Sequence, residues 1–174
     1  VLFIKILSMI VLLFMLIFMI QLKRKKELAR IAYVDEITGG DTYAKFCISV
    51  RKILENNPEN LAILNINIDG FKFFNNIFGY EEGDKVIRFI WTTLNDIKQT
   101  KEFHAHHYAD NFYALFYFED KKQLFDRLLI FYKKLQNYAV SDTKKYMLTP
   151  HIGIYEIKNP DIDINNMIKP FGGM

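Results

Sequence analysis

Cysteine is nearly absent: Cys47 stands alone in 174 residues, which excludes an internal disulfide and leaves no second thiol for a metal site. A domain of that kind is expected in a reducing compartment, the cytoplasm. Charge of one sign is also scarce, since 23 Lys and Arg against 20 Asp and Glu leave a net +3. The densest basic run, residues 23–26, abuts an apolar stretch and forms no face of its own, so nucleic acid is not expected as a partner. There is no internal repeat and no low-complexity tract. A hydrophobic content of 51%, with sixteen Phe and ten Tyr, excludes a disordered chain.

What the sequence does have begins with an apolar run. From Ile6 to Ile20 every residue except Ser8 is apolar, and residues 1–4 extend the run beyond a single Lys5. About 17 residues at roughly 1.5 Å each span about 25 Å, and Lys5 and Lys23 can reach outward along their own stems to complete a membrane crossing. A signal peptide would need a shorter apolar region and a small-residue cleavage site, whereas Gln21-Leu22-Lys23-Arg24-Lys25-Lys26 follows directly. Residues 1–22 are therefore expected to form one transmembrane helix and residues 23–34 a basic, helical juxtamembrane linker. Clustered Lys and Arg stay on the cytoplasmic side, which places the rest of the chain there, anchored by a single pass in the inner membrane. Residues 35–174 are long enough for one domain with a real core. The chain opens inside hydrophobic sequence, so earlier spans or a sensor are expected to precede it.

Within that domain, Asp35-Glu36-Ile37-Thr38-Gly39-Gly40 reads as a turn, and residues 43–56 carry Phe46, Val50, Ile53 and Leu54 at helical spacing, closed by Asn56-Asn57-Pro58. Residues 61–68 alternate, with Leu64, Ile66 and Ile68 on one face and Asn65, Asn67 and then Asp69 on the other, which predicts a strand. Residues 70–83, rich in aromatics and Asn, lead to a helix expected to be capped by Asp84 with Ile87, Ile90, Leu94 and Ile97 inward. Residues 103–107 and 112–118 predict a hairpin with a tight turn. Asp120 opens a helix with Leu124, Leu128, Tyr132 and Leu135 inward, and residues 147–157, interrupted by Pro150 and Gly153, predict an edge or bulged strand. Helices crossing over an antiparallel sheet give an α+β fold.

Five landmarks carry a family resemblance over residues 35–157. Asp35-Glu36-Ile37-Thr38-Gly39 resembles the D-x-L-T-G opening of GGDEF (diguanylate cyclase-like) domains, and Asn67-Ile68-Asp69-Gly70-Phe71-Lys72 resembles their D-x-D-x-F-K. The run from Asn75 to Asp84 is similar to N-D-x-x-G-H-x-x-G-D, Tyr108-Ala109-Asp110-Asn111-Phe112 occupies the signature position, and His151-Ile152-Gly153-Ile154 resembles the S-I-G strand. The resemblance implies the palm-like sheet of nucleotide cyclases. It also implies a reaction in which the 3′-hydroxyl of one GTP attacks the α-phosphorus of another, helped by divalent ions held on carboxylates.

Carried over position by position, the metal ligands are Asn67 and Asp110, and the glutamate of the signature is Asn111. Amides at Asn67 and Asn111 neither take a proton nor offset a cation. Tyr108 and Ala109 replace the glycines and are expected to fill the space through which nucleotide approaches. The inhibitory R-x-x-D would fall at residues 99–102, which lack both of its charged residues, so product feedback is not expected. Phe71, Lys72, Asn75 and Asp84 match nucleotide-binding positions, with Asn75 as a turn residue and Asp84 as an N-cap as the structural alternative. Mg²⁺ is the expected cofactor if nucleotide is bound.

Other constellations are weaker. His104, His106, His107 and His151 lack good zinc spacing, and Asp161-Ile162-Asp163-Ile164-Asn165 misses the glycine and glutamate of a calcium loop. Phe71, Phe73, Phe74 and Phe78 are expected in the core. Residues 165–169 begin the family's last helix and residues 170–174 replace the remainder, so the domain is expected to be truncated at its C-terminus, or the chain to continue into an EAL domain. Three functions stay open: an impaired regulatory module that binds GTP or pairs with itself or another GGDEF or EAL protein, an active cyclase using Asp69 and Asp110, and a tethered interaction protein without ligand.

Overall fold

A computed structural model describes residues 2–56, 59–141 and 144–158. The helix α1 (Leu2–Tyr33) is continuous through the apolar run and the basic segment, so the juxtamembrane linker is the same helix carried onward. None of its side chains is buried, and it is the one helix among the described residues long and apolar enough to cross a membrane. Its end is tied to the domain: the Thr42 hydroxyl donates to Ala32 O at 2.8 Å and the Thr42 N–H to Tyr33 O at 3.1 Å.

The domain follows as α2 (Tyr43–Leu54), β1 (Leu61–Ile68), α3 (Phe71–Phe78), α4 (Tyr80–Ile97), β2 (Phe103–His106), β3 (Phe112–Tyr117), α5 (Lys121–Gln136), β4 (Ala139–Ser141), β5 (Lys144–Lys145) and β6 (Pro150–Ile157). The main sheet runs β2-β3-β1-β6, antiparallel throughout, and β4 and β5 form a separate two-stranded ribbon that the sequence pattern did not announce. Strand β6 lies at an edge as expected. It starts at Pro150, whose missing N–H suits the first position of a strand.

The alternation in β1 decides the layers. Ala62, Leu64, Ile66 and Ile68 face the larger core with Phe71, Phe74, Val86, Ile90, Phe116, Leu128 and Phe131, under α3, α4 and α5. Leu61 and Ile63 face the smaller core against Phe46, Val50 and Leu54 of α2. Helices α2 and α5 are capped by polar side chains, Thr42 Oγ1 accepting from the Lys45 N–H at 3.4 Å and Asp120 Oδ1 from the Gln123 N–H at 2.8 Å. Of the inward positions expected on α5, Leu124, Leu128 and Leu135 are buried, but Tyr132 is only half-buried and Phe131 takes the central place.

Two expectations around α3 are corrected. Residues 71–78 are helical, and α4 begins at Tyr80 with Gly79 at its cap, so Asp84 lies a full turn inside α4 and caps nothing. Of the four Phe assigned to the core, Phe71 and Phe74 are buried and Phe78 packs at its border, but Phe73 is 63% exposed because it falls on the outer face of α3. The predicted closure at Asn57-Pro58, the rejected calcium loop and the expected last helix lie outside the described residues.

The far side of β2 contains a buried ion pair and a buried histidine. Arg127 Nη1 donates to Glu102 Oε1 at 2.9 Å and to Tyr117 O at 3.0 Å, and Glu102 also accepts from Tyr117 N–H at 2.8 Å, so both charges are satisfied. Glu102, in the segment matched to the inhibitory motif, is thus structural. His104 is 2% exposed, with its ring 4.1 Å from that of Trp91. Trp91 in turn lies so close over Gly40 that a Cβ there would meet its ring at 1.8 Å. Neither ring nitrogen of His104 has a well-formed hydrogen bond. Burial, helped by Lys98 and opposed weakly by the Trp91 backbone, pushes its pKa down to about 3.

An unfolded histidine titrates near 6.5, so between pH 6.5 and about 3 the unfolded chain binds the extra proton and stability falls as pH drops. Thermal melts are expected to lose up to about 1.4 kcal/mol per pH unit in this window, and His104→Phe to flatten that slope. Parallel pH profiles for the two proteins would contradict the assignment.

Candidate functional site

Beyond Ile63 the α2 face of the sheet is uncovered, and β1 there turns from apolar to amide: Asn65 and Asn67 are half-buried. Across the β1–β6 ladder Asn67 faces His151 and Asn65 faces Gly153, while Asn111 lies at the mouth of the β2–β3 turn. Asn65, Asn67, Asn111, His151, Ile152 and Gly153 together line a cleft of about 380 Å³. Sequence matching brought Asn67 and Asn111 to this place. Asn65 was legible from the alternation, two residues before Asn67, but its role as a lining residue was not.

Asp110, next to Asn111 on the turn, is used by the backbone. The β1–β3 ladder ends at Ile66 opposite Phe112, and the Asp110 carboxylate takes over where the turn departs, accepting the Ile68 N–H on Oδ2 at 2.7 Å. Burial raises its pKa, against the opposing effects of the Ile68 and Asp110 backbone N–H groups and of His106. Asp69, one residue past β1, points outward with its side chain 71% exposed, 4.0 Å from His151 Nε2.

The turn itself is held from behind. His106 is 2% exposed, with Nδ1 2.8 Å from Asp35 Oδ2 and Nε2 2.9 Å from Ala109 O. Burial acts to raise the pKa of Asp35, but hydrogen bonds from His106 and from the Thr38 N–H and hydroxyl outweigh it and hold the carboxyl below its ordinary value. His104 and His106 share a strand face as alternation required, yet both are buried, and among the described residues no three His, Cys, Asp or Glu side chains converge on a metal position.

Tyr108 and Ala109 do not line the cleft. Ala109 adopts the left-handed φ of +50°, keeping the backbone course of a glycine, and this turns the Tyr108 ring onto His107, centroids 4.7 Å apart, where it is 51% exposed. The expectation that these two side chains fill the cleft is therefore corrected.

The matched nucleotide-binding residues gather at the α3–α4 corner. Phe71 is buried, Lys72 is exposed on the first turn of α3, and Asn75 and Asp84 are half-buried. Asn75 Oδ1 is buried without a hydrogen-bond partner, and it approaches Gly83 so closely that a Cβ there would lie 2.0 Å away. Asn75 is thus helical, not a turn residue, and its amide has unspent hydrogen-bonding capacity.

The family model described as "Diguanylate cyclase, GGDEF domain" matches residues 32–170. The chain belongs to the GGDEF family. Among solved structures it is similar to a diguanylate cyclase/phosphodiesterase from Caldicellulosiruptor saccharolyticus, at 18% identity and a TM-score of 0.67 over 75% of this chain and 79% of that one. It is similar also to the diguanylate cyclase SiaD of Pseudomonas aeruginosa, solved with its activator SiaC (18% identity, TM-score 0.70, 85% of this chain and 59% of that one). A third is a Vibrio cholerae LapD S helix-GGDEF-EAL protein bound to c-di-GMP (16% identity, TM-score 0.65, 86% of this chain and 35% of that one). At these identities the likeness establishes the fold, an antiparallel sheet flanked by helices as in cyclase-like GGDEF domains. No curated protein matches the chain in sequence.

GGDEF domains use Mg²⁺ with GTP, and the expectation of Mg²⁺ meets a poor donor set here. Mg²⁺ needs hard anionic oxygens in near-octahedral array. The cleft is lined by neutral amides at Asn65, Asn67 and Asn111 and by no carboxylate, and Asp110, beside Asn111 on the turn, has an oxygen already committed to Ile68. These residues do not make a Mg²⁺ site of the family's kind.

If the turn has kept a glycine's backbone course with an alanine in it, Ala109→Gly is expected to stabilise the domain by about 1 kcal/mol, the left-handed penalty less glycine's added chain entropy. Urea unfolding measures this. Destabilisation by a similar amount would show that Ala109 is not strained.

Proposed function

We propose that this GGDEF-domain protein is a catalytically impaired regulatory module of bacterial cyclic di-GMP signalling that binds GTP and is held at the inner membrane by α1. The observation that carries it is the pair of amides, Asn67 and Asn111, lining the cleft in place of acidic groups. A cyclisation needs a group to accept the 3′-hydroxyl proton and negative charge to gather cations, and amides supply neither. The competing active cyclase would have to rely on Asp69, which points to solvent, and Asp110, which holds the Ile68 N–H.

Nucleotide recognition is better supported. The Asn75 amide, whose Oδ1 has no partner, and the half-buried Asp84 on the adjoining turn offer donors and acceptors of the kind a guanine edge requires, and Lys72 offers a cation to phosphate. In this reading residues 1–22 cross the membrane, residues 23–34 continue as a signalling helix, and the domain from residue 35 onward lies in the cytoplasm. Pairing is with a second copy or with another GGDEF or EAL protein. Exposed Phe125, Leu129 and Ile130 on α5 favour such contact.

Calorimetry on the full chain in detergent micelles is expected to give saturable GTP binding, weakened roughly tenfold, about 1.4 kcal/mol, by Asp84→Ala. No heat of binding for GTP, or equal binding by the variant, would remove GTP recognition at this corner and leave the protein-interaction reading.

A further inference from the structure

We propose that the cleft receives the phosphates of its nucleotide directly, through amide and imidazole donors, without a divalent cation. The inference rests on the GTP reading above and adds to it the way in which charge is met.

The chemistry of the lining carries it. Three amides, Asn65, Asn67 and Asn111, and one imidazole, His151, open onto the same space. Each amide brings two N–H donors and an imidazole at least one, so the lining is rich in groups that complement phosphate oxygens. A cleft of about 380 Å³ also falls within the ordinary range for small-molecule sites.

Carboxylates make the opposite case. A ring of acids repels a triphosphate until a cation is placed between them, which makes binding depend on metal. Here no carboxylate is among the lining residues, and Asp69 is 4.0 Å from His151 Nε2. Asp110 is turned into the backbone by its bond to the Ile68 N–H, and Asp69 faces solvent beside His151. Mg²⁺ gives up its waters reluctantly, and neutral amide oxygens return little for that loss. A phosphate can instead take the amide N–H groups, although Asn111 Nδ2 already donates to Tyr108 O at 3.4 Å, and Gly153, opposite Asn65, leaves the floor of the cleft without a side chain in the way. Loss of the metal shell and retention of an anion site are then one and the same change.

The full chain in micelles is titrated with GTP in EDTA and again in excess Mg²⁺, with inorganic triphosphate as competitor. The expected result is a Kd in EDTA within about threefold of that in Mg²⁺, with competition by triphosphate in both. Binding seen only with Mg²⁺ overturns the inference and leaves the GTP reading intact. Binding in neither condition overturns both. Asn67→Asp, nearly the same shape, supplies the second arm. It is expected to lose about tenfold or more in EDTA and to recover with Mg²⁺, because the new carboxylate repels phosphate until a cation intervenes. An unchanged EDTA affinity in that variant would equally count against a direct phosphate site.

Discussion

The domain depends on β1 being paired on both sides. It meets β3 along one edge and β6 along the other, and its two faces supply the two cores. At its C-terminal end the β3 ladder runs out one pair short of the turn, and a single side-chain bond, Asp110 Oδ2 to the Ile68 N–H, continues it. A backbone N–H left unpaired in a partly buried position costs about 1–3 kcal/mol. The carboxylate removes that cost, and in doing so it fixes the turn against the strand and places Asn111 over Asn67. The same bond commits one oxygen of the turn's acid to the backbone.

Behind the turn, a second tie reaches back to the end of α1. Asp35 follows α1 almost immediately, and through His106 it is joined to the Ala109 carbonyl in the turn. Thr42 joins the end of α1 to the start of α2, and an isolated bridge pairs Thr42 with His106. The exposed helix, the opening turn and the signature turn are therefore one connected set of hydrogen bonds, mostly with little water around them. At the front of the turn stand Asn111 and the inward-bonded Asp110, while His106 and Asp35 hold the turn from the back.

Much of this was legible in the sequence because β1 alternates cleanly and is flanked by motifs at fixed separations. The strand, the hairpin, its neighbours and the edge position of β6 follow from residues with a period of two and from Pro150. The helix α3 was not legible: it has eight residues, is rich in Asn and Phe, and sits between two glycines, a pattern equally suited to a loop, so Asp84 looked like a cap. The Asp35–His106 contact joins positions 71 residues apart, and no local pattern announces it. Motif matching found Asn67, Asp110 and Asn111, but it could not tell that Asp110 bonds inward or that Tyr108 turns away, since both depend on the backbone of the turn. Asn65 and Gly153 enter the cleft only through ladder register.

The central proposal is that the described domain keeps the GGDEF sheet and lacks the acidic groups that cyclisation needs. It is tested most directly by incubating GTP and Mg²⁺ with the native chain and with a variant carrying Asn67→Asp, Tyr108→Gly, Ala109→Gly and Asn111→Glu, and measuring cyclic di-GMP by chromatography. The account predicts no product from the native chain and detectable product from the variant; cyclic di-GMP made by the native chain would contradict it.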